Sequence, residues 1–169
     1  MVRVGQYEID LLPSTMWGKS LAQLSRTKGS GFRSTWDTIR KRELERASHK
    51  CELCGAAESL LCHEKWRYET ETQTQRLVGY EIACRSCNLI LHPGRSGADG
   101  LIDQTISHFC NVTGLTKKEL DKAIVEAYSD WAERSKHDWH IDVTYDELAK
   151  PYEGQVNELS WQKTTSIVV

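Results

Sequence analysis

Chemistry in this chain is concentrated between Cys51 and Gly94, a stretch that reads CELCGAAESLLCHEKWRYETETQTQRLVGYEIACRSCNLILHPG. Two Cys-x-x-Cys pairs, Cys51/Cys54 and Cys84/Cys87, bracket residues 55–83. His63 lies inside the bracket and is followed by Glu64. Asn88 and His92 come just after Cys87, at i and i+4. Thiolates bind Zn2+ tetrahedrally, and four of them close its coordination shell, as a structural site requires. The Cys-x-x-Cys turn lets two sulfurs converge on one ion. The spacing therefore predicts two nested metal sites: a zinc that holds the fold, and a second metal placed for chemistry. Two disulfides are the competing reading of the same four cysteines. No signal peptide opens the chain, and disulfides are rare in reducing compartments, so zinc is favoured.

These residues need elements to position them. Paired knuckles are usually separated by about 15–20 residues, and residues 55–83 exceed that, so a segment is inserted. A β-hairpin fits, because it returns its ends to one place. Residues 59–68 and 76–83 carry the aromatic and β-branched content of two strands, and the polar run 69–75 suits a turn. Asn88 and His92 then share one face of a short helix beginning near Arg85. His63 falls on the first strand. The expected core is strand, strand, helix, with a histidine on the first strand and polar ligands on the helix.

At this point the chain resembles the HNH endonuclease family, closest to small bacterial and phage members. The likeness rests on His63-Glu64-Lys65-Trp66-Arg67-Tyr68, on Gln75-Arg76-Leu77-Val78, and on Cys84-Arg85-Ser86-Cys87-Asn88 ending at His92. A weaker likeness runs from Trp36 to Trp139. The resemblance implies a ββα-metal fold and metal-dependent hydrolysis of DNA phosphodiesters. Such hydrolysis needs a base to take a proton from water and a cation to neutralise phosphate charge. The resemblance implies that His63 is the base and that Asn88 and His92 hold the metal. Asn with His suits Mg2+, Mn2+, Ni2+ or Zn2+ without choosing among them. Two positions depart from the pattern. Cys62 stands where many HNH enzymes place an Asp or His ligand, and is a poor ligand for Mg2+; the shell is completed either by Cys62, or by Glu64 or water with Cys62 in the core. Position 88 is Asn where close relatives more often have His. Ordinary structural readings stand beside the functional ones: a half-buried strand residue for His63 and a helix-start residue for Asn88.

Charge is unevenly spread. The formal net charge is −2, but residues 15–50 hold nine Lys/Arg against three acids, and residues 96–169 hold seven against thirteen. A basic half beside a nuclease-like motif is the electrostatic footprint of a nucleic-acid binder. Residues 25–35 read as a basic Gly/Ser loop with Lys28 and Arg33. Residues 36–48 read as a helix with Trp36, Ile39, Leu44 and Ala47 on one side and Arg40, Lys41, Arg42 and Arg46 on another. Its basic face lies along a duplex or is a solubilising surface partly paired with Glu43 and Glu45. Arg40, Arg42, Arg85 and Arg95 are the phosphate-contact candidates.

Elsewhere the pattern is structural. Residues 1–14 alternate weakly, as one short strand would. Pro93 to Gly97 reads as a helix break. Residues 101–112 have helical spacing with Gly114 as the stop; His108 and Cys110 read there as core or surface residues, not ligands. Thr116 and Glu119 form a capping box opening a helix over 117–136, striped by Leu120, Ala123, Ile124, Ala127, Tyr128 and Trp131. Residues 139–143 alternate as a short strand.

The expected fold is α+β: a zinc-stapled ββα-metal core (51–95), preceded by a basic N-terminal segment (1–50), followed by a helical extension (96–150) and a tail (151–169) with no readable structure. The expected function is a metal-dependent DNA endonuclease with a structural zinc and a catalytic divalent ion. It would act on double-stranded DNA in the cytoplasm of a bacterial or phage-infected cell, with no membrane span. A catalytically empty zinc-stapled module binding nucleic acid or protein, and the same fold acting on RNA, are the alternatives.

Overall fold

The computed structural model describes residues 1–26 and 33–143, and the backbone of 166–167. The fold is mixed α+β with two small sheets and six helices among the described residues. Its frame is an antiparallel hairpin. Strand β3 spans Leu60–Glu69 and β4 spans Thr74–Cys84. Here the expectation of two strands holds; β3 has the expected length, and β4 runs longer than its composition suggested. β4 leads directly into helix α3, Arg85–Leu91, whose N-terminal cap is Cys84. The strand–strand–helix unit is thus present, and it carries His63 on its first strand.

The hairpin has one irregularity. Lys65 pairs with Gly79 and Trp66 pairs with Leu77, so Val78 is an extra residue in β4. An unbroken period of two would send Leu77 and Tyr80 to opposite faces. The bulge resets the alternation, and both join one apolar cluster with Ile39, Trp139 and Ile141.

That cluster covers one side of the hairpin. It takes Met16 from a single 3₁₀ turn (Ser14–Met16), Leu21 from helix α1 (Leu21–Leu24) and Ile39 from helix α2 (Arg33–Arg46). Trp139, Ile141 and Val143 come from and flank strand β5, His140–Asp142, which pairs parallel to β4. The expected strand over 139–143 is therefore present. A two-residue strand β6, Ser166–Ile167, pairs with β5; residues 144–165 and 168–169, which hold the end of the expected extension and the rest of the tail, lie outside the described residues.

A second cluster covers the other side. It joins Ile90 and Leu91 of α3 to Phe109 of helix α5 (Ile102–Thr113) and Leu120, Ala123 and Ala127 of helix α6 (Lys117–Arg134). Tyr7 and Ile9 enter it from strand β2 (Tyr7–Ile9), which pairs with β1 (Val2–Val4). The opening residues are thus a hairpin where a single strand was expected. The capping box at Thr116 and Glu119 is formed, and Gly114 ends α5 in the left-handed conformation at φ +71°.

Two expectations are corrected. Helix α3 does end at Leu91, before Pro93, but Pro93 does not keep the residues after it out of a helix. It occupies the first turn of helix α4, Pro93–Ala98, where its missing N–H costs nothing. Helix α2 begins at Arg33, and its buried stripe is Thr35, Ile39 and Glu43. The burial of Glu43 is met by ion pairs with Arg42 at 2.8 Å and Arg46 at 2.6 Å.

Candidate metal centres

The first centre is built by local turns. Cys51 accepts a hydrogen bond at its carbonyl from the Gly55 amide (2.8 Å), and the Cys51 amide donates to the Ala56 carbonyl (2.7 Å). Gly55 has φ +79°, a conformation that a residue with a Cβ rarely adopts, so the first knuckle closes on glycine. The second knuckle forms where β4 becomes α3, and the Cys87 amide donates to Cys84 Sγ at 3.4 Å. The hairpin brings the two together: the four sulfurs all lie within 4.8 Å of one another, with Cys54 and Cys84 at 3.6 Å. A tetrahedral ion with bonds of about 2.3 Å to sulfur needs sulfurs about 3.8 Å apart. Cys51, Cys54, Cys84 and Cys87 therefore fit a zinc-sized metal. All six cysteines are free, so the disulfide reading finds no support.

The second centre lies at the other end of α3. His63 Nδ1 and His92 Nε2 are 3.1 Å apart, with ring centroids at 4.9 Å and planes at 65°. His92 caps α3, its amide donating to the Asn88 carbonyl at 3.0 Å. Asn88 is half-buried one turn earlier. Burial, reinforced by the charges of His92 and Lys65, pushes the His63 pKa down to about 3, and burial lowers that of His92 as well. Both imidazoles are held neutral, the form that can ligate a metal or accept a proton. Among the described residues, no third His, Cys, Asp or Glu joins this pair within 4.8 Å.

That fact corrects the expectation for Cys62 and for Glu64 as the fallback ligand. Successive strand residues point to opposite faces, so Cys62 and Glu64 face away from His63. Cys62 packs against the Met16–Ile39–Trp139 cluster, and burial pushes its thiol up to about 12, which leaves it protonated. Glu64 accepts hydrogen bonds from the amides of Leu21 (3.2 Å) and Ala22 (2.8 Å) at the start of α1, and from Trp66 Nε1 at 3.2 Å. Burial still raises its pKa against those three bonds. In His63-Glu64-Lys65-Trp66 the histidine thus serves one face and Glu64 and Trp66 the other.

The arginine candidates separate likewise. Arg42 pairs with Glu43, and Arg46 makes two bonds to Glu52 at 2.7 and 2.8 Å, so part of the basic helix faces inward to its own acids. Arg40 is exposed and donates to the Leu60 carbonyl at 3.4 Å, near the start of β3. Arg85 is exposed at the first position of α3. Arg95 is exposed and pairs with Asp99 at 2.8 Å. Lys28 lies outside the described residues.

Two residues near the first centre escaped sequence reasoning. Tyr7 Oη and His108 Nε2 each lie 3.2 Å from Cys87 Sγ. Tyr7 carries no motif, and His108 stands alone in an amphipathic helix; only their tertiary placement marks them.

No family model matches this chain, no curated protein matches it, and no solved structure matches it.

Proposed function

We propose that this chain is a metal-dependent endonuclease of the HNH type acting on double-stranded DNA, with a structural zinc at Cys51, Cys54, Cys84 and Cys87. The observation that carries the reading is the approach of His63, on β3, to His92, at the end of α3, within 3.1 Å. A strand histidine meeting a helix-end histidine is the pairing that the resemblance to HNH endonucleases implies for base and metal. His92 and Asn88 would hold the ion. The imidazole nitrogen of His92, with no carboxylate beside it among the described residues, favours Zn2+, Ni2+ or another nitrogen-preferring metal over Mg2+. A divalent ion bound there would neutralise charge on the phosphate and the departing oxygen. His63 takes the proton from water. Its depressed pKa makes it a weak base in the free protein, and a phosphate anion entering beside it would raise that pKa toward working pH. Arg40, Arg85 and Arg95 would contact phosphates without reading sequence.

The sparse donor set at His63 and His92 favours a second reading: a zinc-stapled module that binds nucleic acid or protein and cuts nothing. Plasmid cleavage in the presence of Mg2+, Mn2+, Ni2+ or Zn2+ separates the two. The enzyme reading expects cleavage by the wild type, and a loss of about 10²–10⁴ in rate in His63→Ala, with fold, zinc content and DNA affinity retained. His92→Ala should lose activity through weakened metal binding, with partial rescue by excess metal. Absence of cleavage under every metal supports the module. Cleavage that survives His63→Ala removes His63 from the base role.

A further inference from the structure

Four thiolates around one Zn2+ leave a net negative charge in a largely buried place, and each sulfur needs hydrogen-bond donors. Backbone amides supply three of the four. Cys51 Sγ faces the amides of Cys84, Leu53 and Cys54, and Cys54 Sγ faces that of Ala56. Cys84 Sγ accepts from the Cys87 amide. Cys87 differs because it lies inside α3. The amides that follow it close the helical ladder, as the His92 amide does on Asn88, and are not free to turn back to its sulfur. The amide that Ala56 provides to Cys54 therefore has no counterpart at Cys87.

Two side chains stand in that place. Tyr7 is fully buried, reaches Cys87 from β2, and has its hydroxyl 3.2 Å from the sulfur. His108 reaches it from α5 with Nε2 at 3.2 Å. A thiolate can only accept, so both contacts run as donation to sulfur when the metal is bound. His108 is not part of the set of ligand atoms mutually within 4.8 Å, which places it outside the first coordination sphere. We propose that Tyr7 and His108 are positioning residues that donate hydrogen bonds to the Cys87 thiolate, replacing the amide donor that helix α3 withholds, and that they set how tightly the four-cysteine site keeps its zinc.

The inference rests on the zinc reading, and the test separates the two. Zinc retention against a competing chelator, and the thiolate-to-metal charge-transfer band of the Co2+-substituted protein, are measured for wild type, Tyr7→Phe, His108→Leu and His108→Gln. Tyr7→Phe keeps the ring that packs at 5.8 Å from Phe109 and removes only the hydroxyl. His108→Gln keeps an N–H donor near the Nε2 position. Tyr7→Phe and His108→Leu should each weaken metal binding by roughly 10- to 100-fold and move the charge-transfer band to longer wavelength, because an unbonded thiolate gives up electron density more easily. His108→Gln should restore both toward wild type. Unchanged affinity and band in Tyr7→Phe and His108→Leu overturn the inference while leaving the zinc site standing. So does a folded His108→Gln that behaves like His108→Leu. If His108→Leu fails to fold, Tyr7→Phe decides the matter. A wild-type protein that holds no zinc overturns both the inference and the reading beneath it.

Discussion

The two ends of α3 are built on different terms. At its N-terminal end four sulfurs converge from two tight turns, and every one of them has a hydrogen-bond donor at hand. At its C-terminal end two imidazoles meet alone, neutral and half-buried, with no third titratable ligand beside them among the described residues. A closed shell of protein ligands is the mark of a structural site, and a partial shell that leaves positions for water or substrate is the mark of a catalytic one. One short helix joins both arrangements, so a shift in the sulfur cluster is passed to His92 through a rigid element about two turns long. Under the proposed function, the cysteines would hold the fold through zinc, and the histidines would be left for chemistry.

The largest effect should come from breaking the closed end. Cys84→Ser removes a ligand and the cap of α3 together. Structural zinc contributes about 10–16 kcal/mol of apparent binding free energy in small zinc peptides, and that energy is folding energy. The variant should lose zinc and its cooperative thermal transition. A Cys84→Ser protein with full zinc content and an unchanged melting temperature would end the comparison. The open end should behave oppositely: His63→Ala should keep the melting temperature while losing cleavage. Equal damage to stability from His63→Ala would mean that His63 and His92 are a packing pair.

A smaller effect tests the division of the His63-Glu64 pair between two faces. Glu64→Ala leaves the amides of Leu21 and Ala22 without their carboxylate and should cost about 1–3 kcal/mol, read as a lower denaturation midpoint. Metal-dependent cleavage per folded molecule should be unaltered. A selective loss of cleavage in a stable Glu64→Ala protein would return Glu64 to the metal site.

The smallest effect concerns the tie between α2 and the first knuckle. The Arg46 hydrogen bonds, with the Ile82 amide at 2.7 Å, hold the Glu52 carboxyl below its ordinary value. A depressed folded-state pKa contributes stability that is present above the unfolded pKa, about 4.3 for Glu, and is lost as pH falls through the folded value. Glu52 is partly exposed, so screening limits this to about 1 kcal/mol. Glu52→Gln should be slightly less stable than wild type at pH 7, and the gap should close as pH falls below the unfolded value and through the depressed folded one. A gap independent of pH would show that the ionised carboxylate is not what joins α2 to the knuckle.

Much of this organisation was legible locally. A Cys-x-x-Cys turn converges its sulfurs within four residues, and a capping box or a C-terminal glycine acts within one turn, so these features need no partner from afar. Alternation along residues 62–64 also carries a warning: neighbours on a strand do not share a face, so neither Cys62 nor Glu64 joins His63. The basic character of residues 33–46 was legible, but not its destination, because Glu43 faces inward only when the helix docks on the hairpin and draws Arg42 and Arg46 with it. Pro93 marks a break that α3 obeys by ending at Leu91, but a proline in a first turn also starts a helix, and α4 begins there.

Local patterns set the chemistry available: four thiols in two turns, a histidine on the first strand of a hairpin, and Asn88 and His92 one helical turn apart. These follow from bond geometry and the periods of strand and helix, which act over a few residues. Which of these groups meet depends on how the elements pack. Docking α3 across the hairpin set His92 against His63, and the extra residue Val78 turned Leu77 and Tyr80 to the same side of β4. Closure of the core brought Tyr7 and His108 to Cys87 from 80 and 21 positions away. Contacts at that range depend on how whole elements pack, and no local period records them.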